Sequence, residues 1–324
     1  MDWERINALT ENEFILEDRK SKIKSVVEKY GVENFYISFS GGKDSTVLSA
    51  LVDMAIPENK IPRVYANTGI EYKMIFDFVS NKAKIDNRFI ILKPSKNIKQ
   101  VLETDGYPFK SKYHSHIVDI WQNRGIENSD TVKNYLVLQT PKSGFIKTSH
   151  VCPKILKYQF YEGAPFKISS KCCNRLKKEP LHNFSIENNK PYSIIGIMHD
   201  EGGARENAKC LAFSGDKLKS FQPLVAVTKD WEDWFIKNYN IDICDIYKPP
   251  YYFVRTGCKG CPFALHLQNE LDTLQRFFPI ERKQCEYIWA PVYAEYRKLG
   301  YRLRKDDTIE GQMSIEDFLG GKHE

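Results

Sequence analysis

FYISFSGGKDS, residues 35–45, decides the fold class of this chain. Its first five residues are aromatic and β-branched, which predicts a strand over 35–39. The six residues SGGKDS at 40–45 are predicted to form a loop. Residues 46–55 are predicted to form a buried helix that ends before Pro57. A strand, a glycine loop and a helix in this order are typical of a phosphate site at the edge of an open α/β sheet.

The alternation of strands and helices continues on both sides of this stretch. Strand, helix and strand joined by short links predict a parallel sheet with right-handed connections, and therefore an α/β fold. The further predicted strands are 63–67, 89–92, 193–198 and 221–227. The further predicted helices are 16–30, 71–84, 231–239 and 281–299.

The pattern also predicts how the chain is divided. We expect an N-terminal helical region over 1–34, a nucleotide-binding α/β domain over 35–240 and a C-terminal region with a helical tail over 241–324. Residues 105–150 are rich in aromatic side chains, Lys and His. They are predicted to form a helical or irregular insertion over the mouth of the sheet.

Composition limits the class of protein. The 324 residues include 48 Lys and Arg against 42 Asp and Glu, a net charge of +6, and 42% are hydrophobic. These values are typical of a globular protein and exclude a disordered or collagen-like chain. Apolar runs fall far short of the roughly 20 residues that cross a membrane. The first ten residues are mixed and charged, so we expect a cytoplasmic protein with no membrane partner.

The loop Ser40–Ser45 has the groups that bind a phosphate. Gly41 and Gly42 permit close approach of the backbone, and amide N–H groups at a helix N-terminus attract anions. Lys43 adds a positive charge, while Ser40 and Ser45 supply hydroxyls. The spacing is not that of a Walker A loop, so a differently held pyrophosphate group is expected. The structural alternative is a glycine turn in which Asp44 or Ser45 caps the helix.

The eight cysteines do not predict a disulfide scaffold in a chain of this length without a signal peptide. Four of them form two clusters, Cys172-Cys173 and Cys258-Lys-Gly-Cys261. Four thiolates suffice for a tetrahedral zinc or a [4Fe–4S] cluster. Adjacent cysteines suit the usual zinc knuckle poorly, because its ligands are spaced C-x₂₋₄-C. Zinc and the absence of any metal remain open alternatives.

SFSGGKDS at 38–45 resembles the PP-loop of the adenine-nucleotide α-hydrolase superfamily, and the chain is most similar there to the phosphoadenosine-phosphosulfate reductase family. Asn67-Thr68-Gly69 resembles the family's Asp-Thr-Gly segment, with Asn in place of Asp. The stretch 196–205 resembles its Gly-x-Arg-x-x-Glu-Ser-x-x-Arg segment, with Met198 and Gly202 as departures. The resemblance implies a doubly wound sheet of the PP-loop type. It also implies nucleotide contacts by a further set of residues, namely Asn67, Thr68, Gly69, Gly196, Glu201 and Arg205. Glu201 and Arg205 have a plain ion pair as their structural alternative.

The cysteine pattern carries a second part of the resemblance. Cys-Cys followed much later by Cys-x-x-Cys, with Lys177, Pro180 and Leu181 after the first pair, is similar to the cluster site of adenosine-phosphosulfate reductases. This implies a [4Fe–4S] cluster on Cys172, Cys173, Cys258 and Cys261. Lys171, Lys177 and Lys178 are expected near its negative charge.

Two departures from assimilatory sulfonucleotide reductases bear on the reaction. Their Glu-Cys-Gly-x-His tail is absent, and SGGKDS is intact, as in relatives that cleave ATP between the α and β phosphates. An intact PP-loop with four clustered cysteines resembles the ATP pyrophosphatase of DNA phosphorothioation systems. Cluster-dependent tRNA thiolases are also similar, although their cysteine patterns differ.

The resemblance implies ATP and Mg²⁺ as cofactors, and AMP and pyrophosphate as products. Lys43, Asp44 and Arg205 are the implied catalytic residues, with Asp44 orienting the metal or the ribose. Sulfur transfer would follow, with a cysteine desulfurase or another sulfur donor as partner.

Other functions stay open at this stage. One is a sulfonucleotide reductase, and another is a metal-stabilised nucleic-acid-binding subunit that only senses nucleotide. Basic and aromatic side chains between 110 and 124 suit contact with DNA or RNA, or equally a solvated insertion. These side chains are Lys110, Lys112, His114, His116, Trp121 and Arg124.

Overall fold

The computed structural model describes residues 9–126, 129–137, 151–199 and 208–305. Its strands are β1 (Phe35–Ser38), β2 (Arg63–Ala66), β3 (Phe89–Leu92), β4 (Tyr192–Ile194), β5 (Leu211–Ser214) and β6 (Lys217–Phe221). Its α-helices are α1 (Glu11–Tyr30), α2 (Lys43–Ala55), α3 (Lys73–Ile85), α4 (Ile98–Asp105), α5 (Lys112–Arg124), α6 (Asp130–Val137), α7 (Glu179–Glu187), α8 (Lys229–Asn238), α9 (Leu267–Phe277), α10 (Pro279–Ile288) and α11 (Ala290–Leu299).

The strands form one sheet in the order β3-β2-β1-β4-β6-β5. Neighbours from β3 to β6 are parallel, and β5 pairs antiparallel with β6 at the edge. Ile37 in β1 lies opposite Arg63 of β2 and Ile194 of β4. The strand order reverses between β1 and β4, and open α/β sheets bind ligands at such a point. The predicted α/β class with a largely parallel sheet is confirmed.

Three predicted elements differ from the structure. The strand predicted over 193–198 corresponds to β4, which ends at Ile194. The strand predicted over 221–227 shares only Phe221 with β6, which lies at Lys217–Phe221, and Pro223–Ala226 forms a 3₁₀ turn. Proline has no N–H to donate to a strand pair, which accounts for this end. The helix predicted over 281–299 is divided into α10 and α11 at Trp289. Pro291 follows two residues later, and its ring disfavours continuation of a preceding helix.

The chain divides into two compact units, each built from two separate segments. The first unit comprises Met1–Pro94 and Lys177–Thr256 and contains the whole sheet. The second comprises Ser95–Leu176 and Gly257–Glu324 and is helical in its described part. The chain passes between them three times, and the second passage lies inside a π-helical turn, Asn174–Lys178.

The core of the first unit fixes α2 against the sheet. Val47, Leu48 and Leu51 of α2 are fully buried, together with Ile37 of β1 and Ile23 of α1. Burial of each large aliphatic side chain contributes about 1.5–3 kcal/mol. This packing orients the N-terminus of α2 towards the end of β1. None of the helices in the described part of the chain combines the length and apolar character needed to cross a membrane.

Candidate functional site

The predicted phosphate loop follows β1, but α2 begins at Lys43, so residues 43–45 of the predicted loop form the first turn of the helix. Gly41 has φ +73°, and a Cβ on it would lie 2.8 Å from methyl carbons of Ile75 and Val79. Gly42 is the N-cap of α2. Its own Cβ would lie 3.2 Å from Ser40 Oγ and 3.3 Å from Tyr247 Oη. Backbone conformation and crowding therefore both favour glycine here.

Hydroxyl groups hold the loop in a tight turn. The N–H of Ser40 donates to Ser45 Oγ at 3.2 Å, and the Ser45 hydroxyl donates to the carbonyl of Gly42 at 2.9 Å. The Thr46 hydroxyl donates to the same carbonyl at 2.9 Å. The loop is thus preorganised by its own side chains at the positive end of α2.

Lys43 is held by two acids of α8 that are distant in sequence. Its Nζ lies 3.1 Å from Glu232 Oε2 and 2.8 Å from Asp233 Oδ1. Burial opposes the charged form of Lys43, but the hydrogen bond to Asp233 and the charge of Glu232 outweigh it, so its pKa is raised. Lys43 is therefore a fixed positive charge at the phosphate loop.

Asp44 adjoins Glu232, whose side chain is 1% exposed. Burial and the charge of Asp44 raise the pKa of Glu232 to about 8, although Lys43 acts against this. Two carboxyl groups in contact favour a shared proton or a bound cation. Glu232 and Asp233 were missed by the sequence analysis. In the sequence, two adjacent acids within a predicted helix have no pattern that separates them from surface residues, although Glu232 is buried in the structure.

Gly196, predicted to contact nucleotide, packs against the phosphate loop. A Cβ on Gly196 would lie 3.0 Å from the carbonyl oxygen of Asp44 and 3.4 Å from the nitrogen of Ser45. Only glycine allows the backbone after β4 to approach so closely. Glu201 and Arg205 lie outside the described residues, and their roles stay predictions.

Asn67, Thr68 and Gly69 form a turn at the end of β2. The N–H of Gly69 donates to Asn67 Oδ1 at 3.0 Å, and the Thr68 hydroxyl donates to Glu71 Oε1 at 2.6 Å. Lys177 Nζ lies 3.6 Å from the same Glu71 oxygen. No heavy atom lies within 4 Å of a Cβ built on Gly69, so this part of the turn is open.

The four clustered cysteines all belong to the second unit, although they come from its two separate segments. A hydrogen bond with Cys173, burial, and the charges of Cys261 and Cys258 raise the pKa of Cys172. Burial and the charge of Cys258 likewise raise the pKa of Cys261. The four sulfurs therefore lie within electrostatic range of one another. Among the residues that the structure describes, no three Cys, His, Asp or Glu side chains are arranged to hold a metal ion.

The segment 106–110 holds the chain that leads to the first cysteine pair, through hydrogen bonds to residues 167–169. The N–H of Tyr107 donates to the carbonyl of Lys167 at 2.7 Å, and the N–H of Ser169 donates back to the carbonyl of Tyr107 at 2.9 Å. Gly106 has φ +103°, and a Cβ on it would lie 2.8 Å from the carbonyl of Lys167. The chain thus reaches Cys172 from a fixed point three residues earlier.

The same segment is linked to the second pair through Tyr296. The N–H of Lys110 donates to Tyr296 Oη at 2.7 Å, and the Tyr296 hydroxyl donates to the carbonyl of Pro262 at 2.9 Å. Pro262 directly follows Cys261. Residues of the predicted insertion therefore help to bring both cysteine pairs together.

Aromatic residues around α11 hold the backbone of the Cys258–Cys261 turn. Trp289 Nε1 donates to the carbonyl of Lys259 at 3.3 Å, and the Tyr293 hydroxyl donates to the carbonyl of Gly260. The N–H of Gly260 donates to Glu270 Oε1 at 2.9 Å. Positions 289, 293 and 296 follow the spacing i, i+4, i+7, which is one helix face. That spacing was the available signal for these residues.

Cys285, whose role the sequence left open, packs behind this turn. Its Sγ lies 2.8 Å from the position of a Cβ built on Gly260, and its side chain is fully buried. Burial raises the pKa of its thiol. Cys285 is therefore a packing residue rather than a reactive thiol.

One residue of the predicted nucleic-acid stretch is placed where it cannot contact a ligand. His114 is fully buried, with Nδ1 2.8 Å from Tyr135 Oη and Nε2 2.8 Å from Gln159 Oε1. Burial lowers its pKa to about 4. The expectation of contact by His114 was wrong, because helical periodicity turns it inward. Lys112, His116 and Arg124 are exposed on the same helix.

Comparison with known proteins identifies related sequences and folds. Residues 34–128 and 120–264 match the family model of the phosphoadenosine phosphosulfate reductase domain. An uncharacterized protein of Methanocaldococcus jannaschii is 36% identical over 109 residues, 32% of this chain and 26% of that protein. The chain therefore spans about a quarter of the length of this curated relative.

Two solved structures are among those to which the chain is similar. Phosphoadenylyl-sulfate reductase from Candida auris, in a phosphate complex, is 11% identical with a TM-score of 0.39 and covers 74% of this chain and 91% of that one. The U34-tRNA thiolase NcsA from Methanococcus maripaludis, with its [4Fe–4S] cluster, is 16% identical with a TM-score of 0.38 and covers 94% and 84%.

Replacing Gly41 by Ala is expected to destabilise the protein more than Gly125→Ala does. The φ angles are +73° and +72°, so backbone strain costs about 1–2 kcal/mol at each. Only at Gly41 does the new methyl also meet Ile75 and Val79. Urea denaturation of both variants measures the difference. Equal losses in free energy of unfolding would show that crowding at Gly41 has no effect.

His114 is expected to make the protein less stable as the pH falls below 6.5. Between that unfolded-state pKa and the folded value of about 4, only the unfolded state binds the proton. Stability therefore falls by up to about 1.4 kcal/mol per pH unit. His114→Gln removes this titration, so its free energy of unfolding should depend less on pH in this window. Parallel pH curves for the two proteins would contradict the assignment.

Proposed function

The chain belongs to the phosphoadenosine phosphosulfate reductase domain family, and we propose that it cleaves ATP to AMP and pyrophosphate, activating a substrate for iron–sulfur-dependent sulfur transfer. The observation that carries the proposal is the phosphate loop with Lys43 at its edge. The amino end of α2, the Ser40 hydroxyl and the Lys43 ammonium offer donors of the kind that bind a nucleotide triphosphate tail.

The reaction requires a nucleophile, a leaving group and charge compensation. An oxygen of the substrate would attack the α-phosphorus. The bond from that phosphorus to the bridging oxygen would break, and pyrophosphate would leave with the electron pair. Lys43 would donate to the oxygen on which charge develops, which is where an enzyme gains most from a fixed positive group. Asp233 is exposed, so exchanging its contact with Lys43 for a contact with phosphate would cost little, while the contact of Lys43 with buried Glu232 could be kept.

Mg²⁺ would bind at Asp44 and Glu232. Protein-bound Mg²⁺ is normally held by one or two carboxylates together with phosphate oxygens, and these two carboxyl groups adjoin each other beside the loop. Burial of Glu232 next to Asp44 without a divalent cation raises its pKa, which fits a pair that is suited to one. When bound, Mg²⁺ would neutralise phosphate charge.

Cys172, Cys173, Cys258 and Cys261 would hold a [4Fe–4S] cluster. The donor set fits, because four thiols act electrostatically on one another and need a cation to become thiolates together. When bound, the cluster would supply iron able to bind a sulfur species. The α11 side chains would keep the Cys258–Cys261 turn in place. The sulfur would come from a cysteine desulfurase or another donor.

ATP cleavage is tested with nucleotide labelled at the α-phosphate, with and without a single-stranded oligonucleotide as acceptor. The full chain is expected to release AMP and pyrophosphate. Lys43→Gln should lower the rate at least about tenfold, equivalent to 1.4 kcal/mol, because it removes the fixed charge at the loop. Lys237→Gln, on the exposed part of α8, is the control. Reduction of a phosphosulfate to sulfite without ATP cleavage would identify a sulfonucleotide reductase instead.

The cluster is tested by iron and sulfide analysis after anaerobic purification. The wild-type chain should be brown and contain iron and sulfide, and Cys258→Ser should lose both because a ligand is missing. Cys210→Ser, at a half-buried thiol of the first unit, should keep them. A colourless wild-type protein with stoichiometric zinc would contradict the cluster.

A further inference from the structure

Lys110 and Arg302 of the second unit are both linked to the carbonyl oxygen of Pro262, Arg302 through its side chain and Lys110 through its backbone and Tyr296. Arg302 Nη1 donates to this oxygen at 2.6 Å. The Tyr296 hydroxyl donates to it at 2.9 Å and accepts the backbone N–H of Lys110 at 2.7 Å. The backbone of Lys110 and the side chain of Arg302 are therefore both held near one peptide group, next to Cys261.

Lys157 is a third basic residue close to this site, and the Cys152 thiol links it electrostatically to Lys110. The Cys152 thiol lies within electrostatic range of both Lys110 and Lys157. Burial raises the pKa of this thiol to about 11, so it stays neutral and offers the lysines no negative charge. Within the described part of the chain, Lys110, Lys157 and Arg302 form no ion pair with Asp or Glu.

The cluster of Lys110, Lys157 and Arg302 carries positive charge that no Asp or Glu of the described residues balances. Lys110 is half-buried, and burial together with the charge of Arg302 lowers its pKa. Cations held together in a partly desolvated place repel each other, and a bound anion relieves that repulsion. Two other basic residues of this unit differ in having an acidic partner, since Lys171 is paired with Asp119 at 3.0 Å and Arg175 with Asp105 at 3.0 Å.

Aromatic rings accompany the cations. The Arg302 guanidinium lies 5.4 Å from the ring centre of Tyr301, and Tyr301 contacts Tyr296 edge to face at 5.4 Å. Lys110 Nζ lies 3.4 Å from Tyr135 Oη. Tyr301 is partly exposed. Cations for a phosphate and an accessible ring for a base are the two elements of single-strand binding sites.

We propose that Lys110, Lys157 and Arg302 bind a backbone phosphate of a single-stranded nucleic acid, with Tyr301 against a neighbouring base. The bound nucleotide would lie beside the Cys258–Cys261 turn. Binding follows from the cation cluster alone, whereas the role of this strand as sulfur acceptor rests on the proposed function. The site combines one residue of the stretch 110–124 with two residues remote from it in sequence.

The test measures binding of a fluorescent single-stranded oligonucleotide to the full chain by anisotropy at several salt concentrations. The double variant Lys110→Gln/Arg302→Gln should bind at least about tenfold more weakly at low salt. Its slope of log affinity against log salt should shrink by up to about 0.7 for each lost phosphate contact. The control is Lys112→Gln/Arg124→Gln, which removes two exposed charges of α5 and should change both quantities much less.

Two further arms separate electrostatic binding from loss of structure. Arg302→Lys keeps the charge and should restore most of the salt slope that Arg302→Gln loses, and thermal melting checks that each variant is folded. Unchanged strand binding in the double variant, or an equal loss in the control pair, would overturn the proposal. So would tighter binding of duplex than of single strand.

The source of the phosphate is distinguished by competition. ATP or inorganic phosphate should displace the strand only weakly from this site. Variant-dependent binding of these small anions without variant-dependent binding of the strand would overturn the proposal in favour of a free-phosphate site. Strand binding that depends on Lys110 and Arg302 in a chain that does not cleave ATP would contradict the proposed function alone.

Discussion

The orientation of α2 is the constraint on which the first unit depends. Its buried aliphatic face packs between α1 and the sheet, so its amino end lies where β1 stops. The backbone of Gly196 closes on this point from β4, near enough that a side chain would collide with the carbonyl of Asp44. Hydrophobic packing along the helix thus places its first-turn N–H groups, and the positive end of its dipole, at the end of β1.

In the second unit the corresponding constraint is the need to satisfy buried peptide groups. The Cys258–Cys261 turn has little regular structure, and its carbonyls and amide would be costly to bury without partners. Trp289, Tyr293 and Tyr296 supply donors from one side, and Glu270 supplies an acceptor. The helices after the turn therefore do more than pack against it, because their polar side-chain groups hydrogen-bond to the backbone between Cys258 and Cys261 and hold its conformation.

The two units differ in whether the basic residues of the proposed sites have acidic partners. The charge of Lys43, in the predicted phosphate loop, is balanced by Glu232 and Asp233. Lys110 and Arg302 are left without an acid in the described residues and are set among tyrosines. Because Lys110 and Arg302 lack an acidic partner among the described residues, they suit the polyanion that we propose for their site, whereas the charge of Lys43 is already balanced by acids of α8.

The local sequence by itself determined the strands β1, β2 and β3, the position of the phosphate loop and the α/β class. Each of these rests on neighbouring residues, namely β-branched runs, helical periodicity and two glycines, of which Gly41 has a left-handed backbone that other residues rarely adopt. Local patterns were less reliable where one proline changed the outcome, as at Pro223. Only the tertiary structure decided that Glu232 meets Lys43, that Tyr296 joins Lys110 to Pro262, and that four cysteines from two segments belong to one unit. Such contacts join residues far apart in the chain, and their partners are selected by packing and by the cost of burying unpaired polar groups, which leave no periodic trace in the sequence.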